Sequence, residues 1–424
     1  MKLRAMIFLL LLIVSQSFSR DFKTKVDALV SPKREVTVIT VGGNNADIRD
    51  FTSRSIQIAI DAVRANGGGV VKLEPGKFEI SAPVRLYDNI SLVGSGRKTI
   101  LHKIDGVRSK FIVDADFAEL KVTVQNPSGF CPGMGVFIYD TRAKDCWEYT
   151  TAVITAISDN VLYIDNYLVR DYRADRDGII TNACSIIAAM EAENVHISNL
   201  TVDGNKENND YINGCRGGGI YFFKTRNATV ENVVVKDFNG DGISWQVTED
   251  ITVRNNEIYG CTNFGMHPGT GSPNSLIEGN NSHDNGSDGL FICWRVQHGL
   301  VKNNQFHHNG RFGICTGHKD TDMRFEENHI YENASDGINF RRERAANAPH
   351  RSIFIRNVVE NNGTKEGGYG FSFNSPAKDV VLKDNIIRDT KNGSQKVGIY
   401  YYKNSLPVKL ENNVIEGHPK GKVK

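Results

Sequence analysis

The sequence predicts an all-β chain wound as a right-handed parallel β-helix, and three observations carry that prediction. A phrase of about 24 residues repeats from residue 194 onward, a column of asparagines rides on it, and a glycine opens the second strand of nearly every copy. Centring the first strand of each copy on its middle apolar residue gives Ile197, Val230, Val253, Ile277, Val301, Phe325, Ile355, Leu382 and Leu410. By subtraction the steps from Val230 to Phe325 are 23, 24, 24 and 24 residues, and the outer steps run from 27 to 33, which leaves room for inserted loops. Three residues past these centres stand Asn256, Asn280, Asn304, Asn328, Asn385 and Asn413, with Leu200, Val233 and Val358 as exceptions. Stacked asparagines at one turn make a ladder, a device of stacked parallel strands. Three residues before the centres stand Asn194, Asn227, Asp250, Asn274, His298, Asp322, Ser352 and Asp379, short polar residues that close a turn. The second strands open at Gly242, Gly265, Gly289, Gly313, Gly337, Gly370 and Gly398, each followed by Ile, Met, Leu or Phe. The repeat lacks the i, i+3, i+4 apolar spacing of a helical solenoid.

The regular coils are expected over 194–415, within a single β-helix domain of residues 36–424. Ahead of them, Thr52 or Ser53 caps an amphipathic helix over 52–66, with Ile56, Ala59, Ile60 and Val63 on its apolar side and Asn66-Gly67-Gly68-Gly69 ending it. Residues 127–180, with "GFCPGMGVFIYD" and "YTTAVITAISDNVLYID", interrupt the repeat and are expected to form a small β excursion. Residues 1–19 read as an export signal: Lys2 and Arg4, the apolar run Ala5 to Val14, then small residues suited to cleavage. The mature chain is therefore expected to be secreted or periplasmic. No segment approaches the roughly 20 apolar residues of a membrane span. A net charge of +2 with 24% charged residues argues against a nucleic-acid-coating surface. Seven cysteines in an exported chain leave at least one unpaired, and Cys131 with Cys146 is the expected bridge.

The helix followed by "KLEPGKFEI" resembles the opening of the pectate-lyase-like β-helix superfamily, and the resemblance extends over most of residues 36–415. It implies a helix plugging the end of the solenoid, activity on carbohydrate, and a substrate groove on the outward face of one sheet. Lyases, glycoside hydrolases, epimerases and phage tailspikes share the fold, so the resemblance does not choose a reaction.

The columns separate charges the fold requires from those left over. Counting from the Gly, positions one and three of the second strand face inward and positions two and four outward. Asp322 and His298 belong to the turn column, and Asp241, Asp288 and Asp336, each just before a Gly, read first as turn-formers. What remains is a patch over about four rungs, roughly 15 Å at about 4.8 Å per rung. His318, His267, Arg295, Lys319 and Asp320 are its catalytic candidates, with Asp320 offered as a carboxylate or as the group orienting His318. Arg341, Arg342, Trp294, Asp288 and Asn339 are its substrate-binding candidates, Trp294 by stacking on a sugar face.

A hydrolase needs two carboxylates about 5 Å or about 6.5–9.5 Å apart, and no column sets two outward acids side by side. A lyase or epimerase acting on a uronic acid needs cations to neutralise the sugar carboxylate and a base to take the neighbouring proton. The patch fits that better. The expected function is thus a polysaccharide lyase or uronate epimerase acting on an acidic glycan, with a glycoside hydrolase or a non-catalytic glycan-binding β-helix as alternatives. "GMHPGTGS" (265–272) is loosely similar, in changed order, to the Asp-Pro-His-type phrase of β-helix alginate epimerases. No cofactor follows from the residues. Ca2+ is the metal the resemblance admits, although the clustered aspartates and catalytic arginine of the calcium-dependent pectate lyases have no residue-by-residue counterpart here. The expected partner is a polysaccharide or oligosaccharide.

Overall fold

A computed structural model describes residues 37–424, apart from residues 144, 145, 366 and 392 and the side chain of residue 146. The expected export signal lies outside the described residues. The helix expected at the front, α1, spans Ser53–Ala65. The Thr52 hydroxyl accepts from the Ser55 amide at 3.3 Å, and the Ser55 hydroxyl accepts from the Thr52 amide at 3.3 Å, a reciprocal cap with serine where Glu or Gln is usual. Ile56, Ala59, Ile60 and Val63 are fully buried. Gln57 of α1 receives the Arg85 amide at 2.8 Å and donates to the Arg85 carbonyl at 3.2 Å. A side chain thereby occupies the hydrogen-bonding edge of the first strand of one sheet, an edge that would otherwise invite pairing with another chain.

Three long parallel sheets stack into the β-helix. Sheet I has 12 strands, from Thr37–Val41 to Lys409–Glu411; sheet II has 11, from Gly76–Ile80 to Val414–Glu416; sheet III has 10, from Val84–Leu86 to Gln395–Tyr401. The apolar column read from the sequence runs down the inside of sheet I, where Val230, Val253, Ile277, Val301, Phe325, Phe354 and Leu382 are all fully buried.

One member of that column is Phe354, not Ile355: Phe325 pairs with Phe354, and their rings stack at 4.3 Å. The one-residue shift corrects two others. Asn357 takes the ladder place assigned to Val358, and Arg351 replaces Ser352 in the turn column. The ladder is then unbroken from Asn256 through Asn280, Asn304, Asn328, Asn357 and Asn385 to Asn413, each amide donating to the next at 2.9 Å. A second ladder that the sequence reading did not separate runs Asn285, Asn309, Asn333, Asn362 and Gln395. The turn column owes its composition to backbone geometry. Asn194, Asn227, Asp250, Asn274, His298, Asp322, Arg351 and Asp379 all adopt positive φ between 52° and 60°, the left-handed region that Asn and Asp tolerate best among non-glycine residues. Their side chains bond from rung to rung, as in Asn227 to Asn194 at 2.7 Å, rather than back to their own chain.

The excursion is a six-stranded antiparallel sheet over its own apolar core, beginning at Arg108–Lys110, earlier than the sequence marks, and ending at Ile179–Thr181. Its early strands are short and polar, so they carry little strand signal by themselves. Cys131 is an exposed free thiol, and the Cys146 side chain of the expected bridge lies outside the described residues. Among the described residues no helix is long and apolar enough to cross a membrane.

Candidate active site

Sheet III carries the candidate residues, and the sequence-derived alternation holds on its inner face: Ile243, Trp245, Met266, Leu290, Ile292, Ile314, Ile338 and Phe340 are fully buried. The outer face is less open than expected. Ser244 and Gln246 are fully buried and His267 is 3% exposed; the loop 205–217, through Gly214, lies against Ser244 and His267, while Gln246 is enclosed by Gly269 and Thr270 of the next coil. The Ser244 hydroxyl donates to the Gly214 carbonyl at 2.6 Å. A Cβ at residue 214 would stand 1.6 Å from the Asp241 carboxylate, so only glycine fits there.

Under that cover His267 Nδ1 donates to Asp241 Oδ2 at 2.6 Å. The other Asp241 oxygen accepts from Asn263 Nδ2 at 2.8 Å and from the Phe264 amide at 3.2 Å. Burial opposes charge on the ring, but Asp241, with the Cys293 thiol nearby, outweighs it and raises His267 to about 10. His267 is thus an imidazolium at neutral pH, a cation and hydrogen-bond donor rather than a base. Phe264 and Phe291 stack at 4.0 Å and meet the imidazole edge-on.

The same arrangement recurs two rungs on. Asp288, expected to meet substrate, is fully buried and held by Arg311 through two bonds of 2.7 and 2.5 Å, with the Phe312 amide at 3.1 Å. Its carboxylate positions Arg311 and leaves no face to a ligand. Two rungs further, Asp336 accepts from the Tyr369 amide at 3.0 Å and the Ser372 hydroxyl at 2.6 Å. The three aspartates read as turn-formers therefore share one job. Each takes the amide of the residue preceding the Gly of the next coil, and turns its second oxygen to a side chain there.

Asp320 is also fully buried. It accepts from the Gly317 amide at 2.8 Å and the Val296 amide at 3.1 Å, and stands 3.4 Å from Arg341 Nη2; burial raises it to about 7. The expectation that it orients His318 is corrected: the side chain turns under the loop, and Glu343 holds His318 instead, with Oε2 3.4 Å from Nδ1. Arg341 is tied inward too, donating to the Ile292 carbonyl at 2.8 Å and lying 4.5 Å over the Phe291 ring. Gly317 makes its path, since a Cβ there would stand 2.5 Å from Arg341 Nε. Asn339, 9% exposed, donates to Ser372 at 2.8 Å.

The remaining candidates form a rim where the chain leaves sheet III. Trp294, Arg295 and Lys319 have φ of 61°, 66° and 58° and are exposed. This turn throws Trp294 outward, 51% exposed, where it stacks on His318 at 4.8 Å. Exposed Arg342 lines an open cavity of about 620 Å³ with Arg311, Asp336, Asn339, Tyr369 and Tyr402. The single patch expected from the sequence is therefore a floor of His267, Asp288, Asp320, Asn339 and Arg341 and a rim of Trp294, Arg295, His318, Lys319 and Arg342. Arg311 and the tyrosines were not among the named candidates, and Asp241 read only as a turn-former. The signal for Asp241 was its column with Asp288 and Asp336, every second rung. Among the described residues no cluster of three or more His, Cys, Asp or Glu side chains is arranged to hold a metal ion.

The family model described as rhamnogalacturonase A/epimerase, pectate lyase-like, matches residues 37–267, and that of the right handed beta helix region matches residues 185–350. The mannuronan C5-epimerase AlgE6 of Azotobacter vinelandii is 40% identical over 75 residues, a stretch that is 15% of this chain and 9% of that protein. In solved structures, the A-module of AlgE4 from that organism superposes with a TM-score of 0.57 at 17% identity, covering 88% of this chain and 94% of the module. The A-module of AlgE6 superposes with a TM-score of 0.54 at 17% identity, over 88% and 95%. At that identity the likeness is one of fold.

Proposed function

The chain belongs to the rhamnogalacturonase A/epimerase, pectate lyase-like family, and from that premise we propose that it is an acidic-polysaccharide lyase or uronate epimerase working by proton abstraction along the outer face of sheet III. One observation carries the reading. Asp241, Asp288, Asp320 and Asp336 each have both oxygens engaged with internal partners, while Arg342, Lys319 and Arg295 stand exposed on the rim and half-buried His318 has Glu343 Oε2 3.4 Å from its Nδ1. Hydrolysis wants two available carboxylates; proton abstraction beside a sugar carboxylate wants cations and a base.

In this reading His318 is the base. Glu343 draws its Nδ1 and Trp294 fixes the plane of the ring, which leaves Nε2 to take the proton on the carbon bearing the uronate carboxylate. Arg342, with Lys319 and Arg295, neutralises that carboxylate as the carbanion forms. The electron pair then expels the glycosidic oxygen on the neighbouring carbon, giving an unsaturated sugar and a new chain end. Alternatively a proton returns to the opposite face, inverting the centre without cleavage. A mannuronan or another polyuronate is the substrate class that the short match and the family favour. The expected export signal fits an enzyme that meets its polymer outside the cell.

The test is incubation with a panel of polyuronates in D2O, followed by ultraviolet absorbance, reducing-end assay and proton NMR. A lyase gives unsaturated ends that absorb, and an epimerase gives deuterium at the inverted carbon without cleavage. New reducing ends with neither signal would mean hydrolysis and would end this reading.

A further inference from the structure

Outside the groove, the turn that leaves sheet II carries two consecutive histidines whose ring nitrogens converge. His307 ends the strand Gln305–His307, and His308 follows it with φ of 54°. Successive side chains on a strand point to opposite faces. The left-handed turn at His308 cancels that alternation and brings the rings together edge to face, centroids 5.0 Å apart, with Nδ1 facing Nδ1 at 2.7 Å. Each ring is held from its other side. His307 Nε2 lies 2.9 Å from Asn281 Oδ1, and His308 Nε2 lies 2.9 Å from Glu332 Oε2. Glu332 only accepts, so His308 Nε2 carries hydrogen and His308 Nδ1 keeps its lone pair, whereas the Asn281 amide can turn either its oxygen or its nitrogen to His307 Nε2. His308 Nδ1 is therefore a ready ligand atom, and His307 Nδ1, 2.7 Å away, becomes a second when its hydrogen moves to Nε2.

We propose that the His307–His308 pair is a binding site for a divalent transition-metal ion of tetragonal preference, Cu2+ or Ni2+. The spacing selects the geometry. With metal–nitrogen bonds of about 2.0 Å, nitrogens 2.7 Å apart subtend about 85°, near the right angle between neighbouring ligands of a square-planar ion. Tetrahedral zinc at a similar bond length would hold them about 3.3 Å apart. Glu332 fixes the tautomer of His308, and Asn281 the direction of the His307 ring, before the metal arrives. Glu332 is itself tied to Lys391. On the far face of His307 stacks His283, 4.8 Å away, but its Nδ1 is turned to Asp284 at 2.7 Å and does not share the position. Two protein ligands leave the other corners of the square to water, and uptake of the ion displaces any proton held between the rings.

The experiment uses the whole protein, freed of metal by chelation and titrated with CuSO4 near pH 7.5. Electron paramagnetic resonance reads the ligands and a weakly buffered solution reads proton release. The expected result is one equivalent of Cu2+ with an axial spectrum split by two nitrogens. His307→Gln and His308→Asn lose that equivalent, whereas His283→Gln keeps it. Asparagine is chosen for residue 308 because Asn232, Asn255 and Asn303 adopt the same left-handed conformation in neighbouring turns, so the variant folds. A wild-type protein that takes up no equivalent, or a His308→Asn protein that keeps the two-nitrogen signal, overturns the proposal.

Discussion

Replacing Asp241 by Asn tests the electrostatics of the groove floor most directly. In the wild type, burial works against a charged His267, and the 2.6 Å bond to Asp241 overcomes it, lifting the ring from an ordinary value near 6.5 to about 10. The folded state therefore holds one more proton than the unfolded chain between those values, so stability falls as pH rises across the window, by about 1.4 kcal/mol per pH unit. The pair's contribution is fully present below about pH 6.5 and lost by about pH 10. In the Asp241→Asn variant the new side-chain oxygen can still accept from the Asn263 side chain and the Phe264 amide, so the turn survives. The charge does not, and burial then holds the imidazole neutral. Breaking a buried pair from one side costs on the order of 3–5 kcal/mol. The expectation is a loss of that order at pH 6, shrinking to about 1 kcal/mol or less at pH 10, followed by urea denaturation at pH 6, 8 and 10 together with imidazole NMR. Equal losses at both extremes, or a His267 in the wild-type protein titrating near 6.5, would refute the reasoning.

Four other outcomes are expected. His318→Gln and Glu343→Gln lower kcat by about 100-fold or more on a polyuronate while leaving KM within a few-fold, since a base contributes about 10²–10⁴ to rate; steady-state kinetics decide it. Arg342→Ala raises KM for the polyuronate and leaves the circular dichroism melt unchanged, because the side chain is exposed; an unchanged KM removes it from carboxylate binding. Asn304→Ala interrupts the first ladder between Asn280 and Asn328: the Asn280 backbone amide and one of its side-chain hydrogens lose their acceptor, while Asn280 Nδ2 keeps the Val253 carbonyl and Asn328 Oδ1 keeps the backbone amide of residue 304. At about 1–3 kcal/mol for each buried orphan, it should destabilise more than Asn413→Ala at the partly buried end, measured by denaturant midpoint. Arg311→Ala strands the buried Asp288 carboxylate and destabilises by about 3 kcal/mol or more; adding Asp288→Asn should recover part of it in a double-mutant cycle, and no recovery would mean Asp288 is not charged.

The coil architecture was legible because its demands repeat. A left-handed turn wants Asn or Asp, a stacked rung wants an amide, and a core column wants an apolar residue, so composition at a fixed period reveals all three. The Ile355 misalignment shows where this fails. In "IFIRN" both Phe354 and Ile355 are apolar, and only the pairing of Phe325 with Phe354 decides between them. The second ladder was present at the same period, five residues beyond the first, from 280 and 285 to 357 and 362. It went unseparated because alignment anchored on sheet I says nothing of the next turn. The cover over His267 was illegible in a different sense. Residues 205–217 belong to a neighbouring coil's loop, and nothing in the periodicity says which way a loop folds. Alternation could thus assign Ser244, Gln246 and His267 to the outer face, yet could not show that this part of the face is closed.

The acid column of sheet III ties these points together. Asp241, Asp288 and Asp336 sit at the same place every second rung, and each uses one oxygen on a backbone amide of the next coil, at 3.2, 3.1 and 3.0 Å. That half of the interaction is set by the coil and is the same for all three. The other oxygen meets His267, Arg311 or Ser372, and this half varies freely from rung to rung. The scaffold therefore supplies a fixed anion beneath the groove, and the partner chosen for it decides what the groove presents: a buried imidazolium, a guanidinium reaching the cavity beside Arg342, or a neutral hydroxyl. Substitution at the partner changes the face without disturbing the turn, whereas replacing the aspartate with a residue that cannot accept the amide disturbs both. That asymmetry explains how acids with a structural origin still govern the chemistry above them.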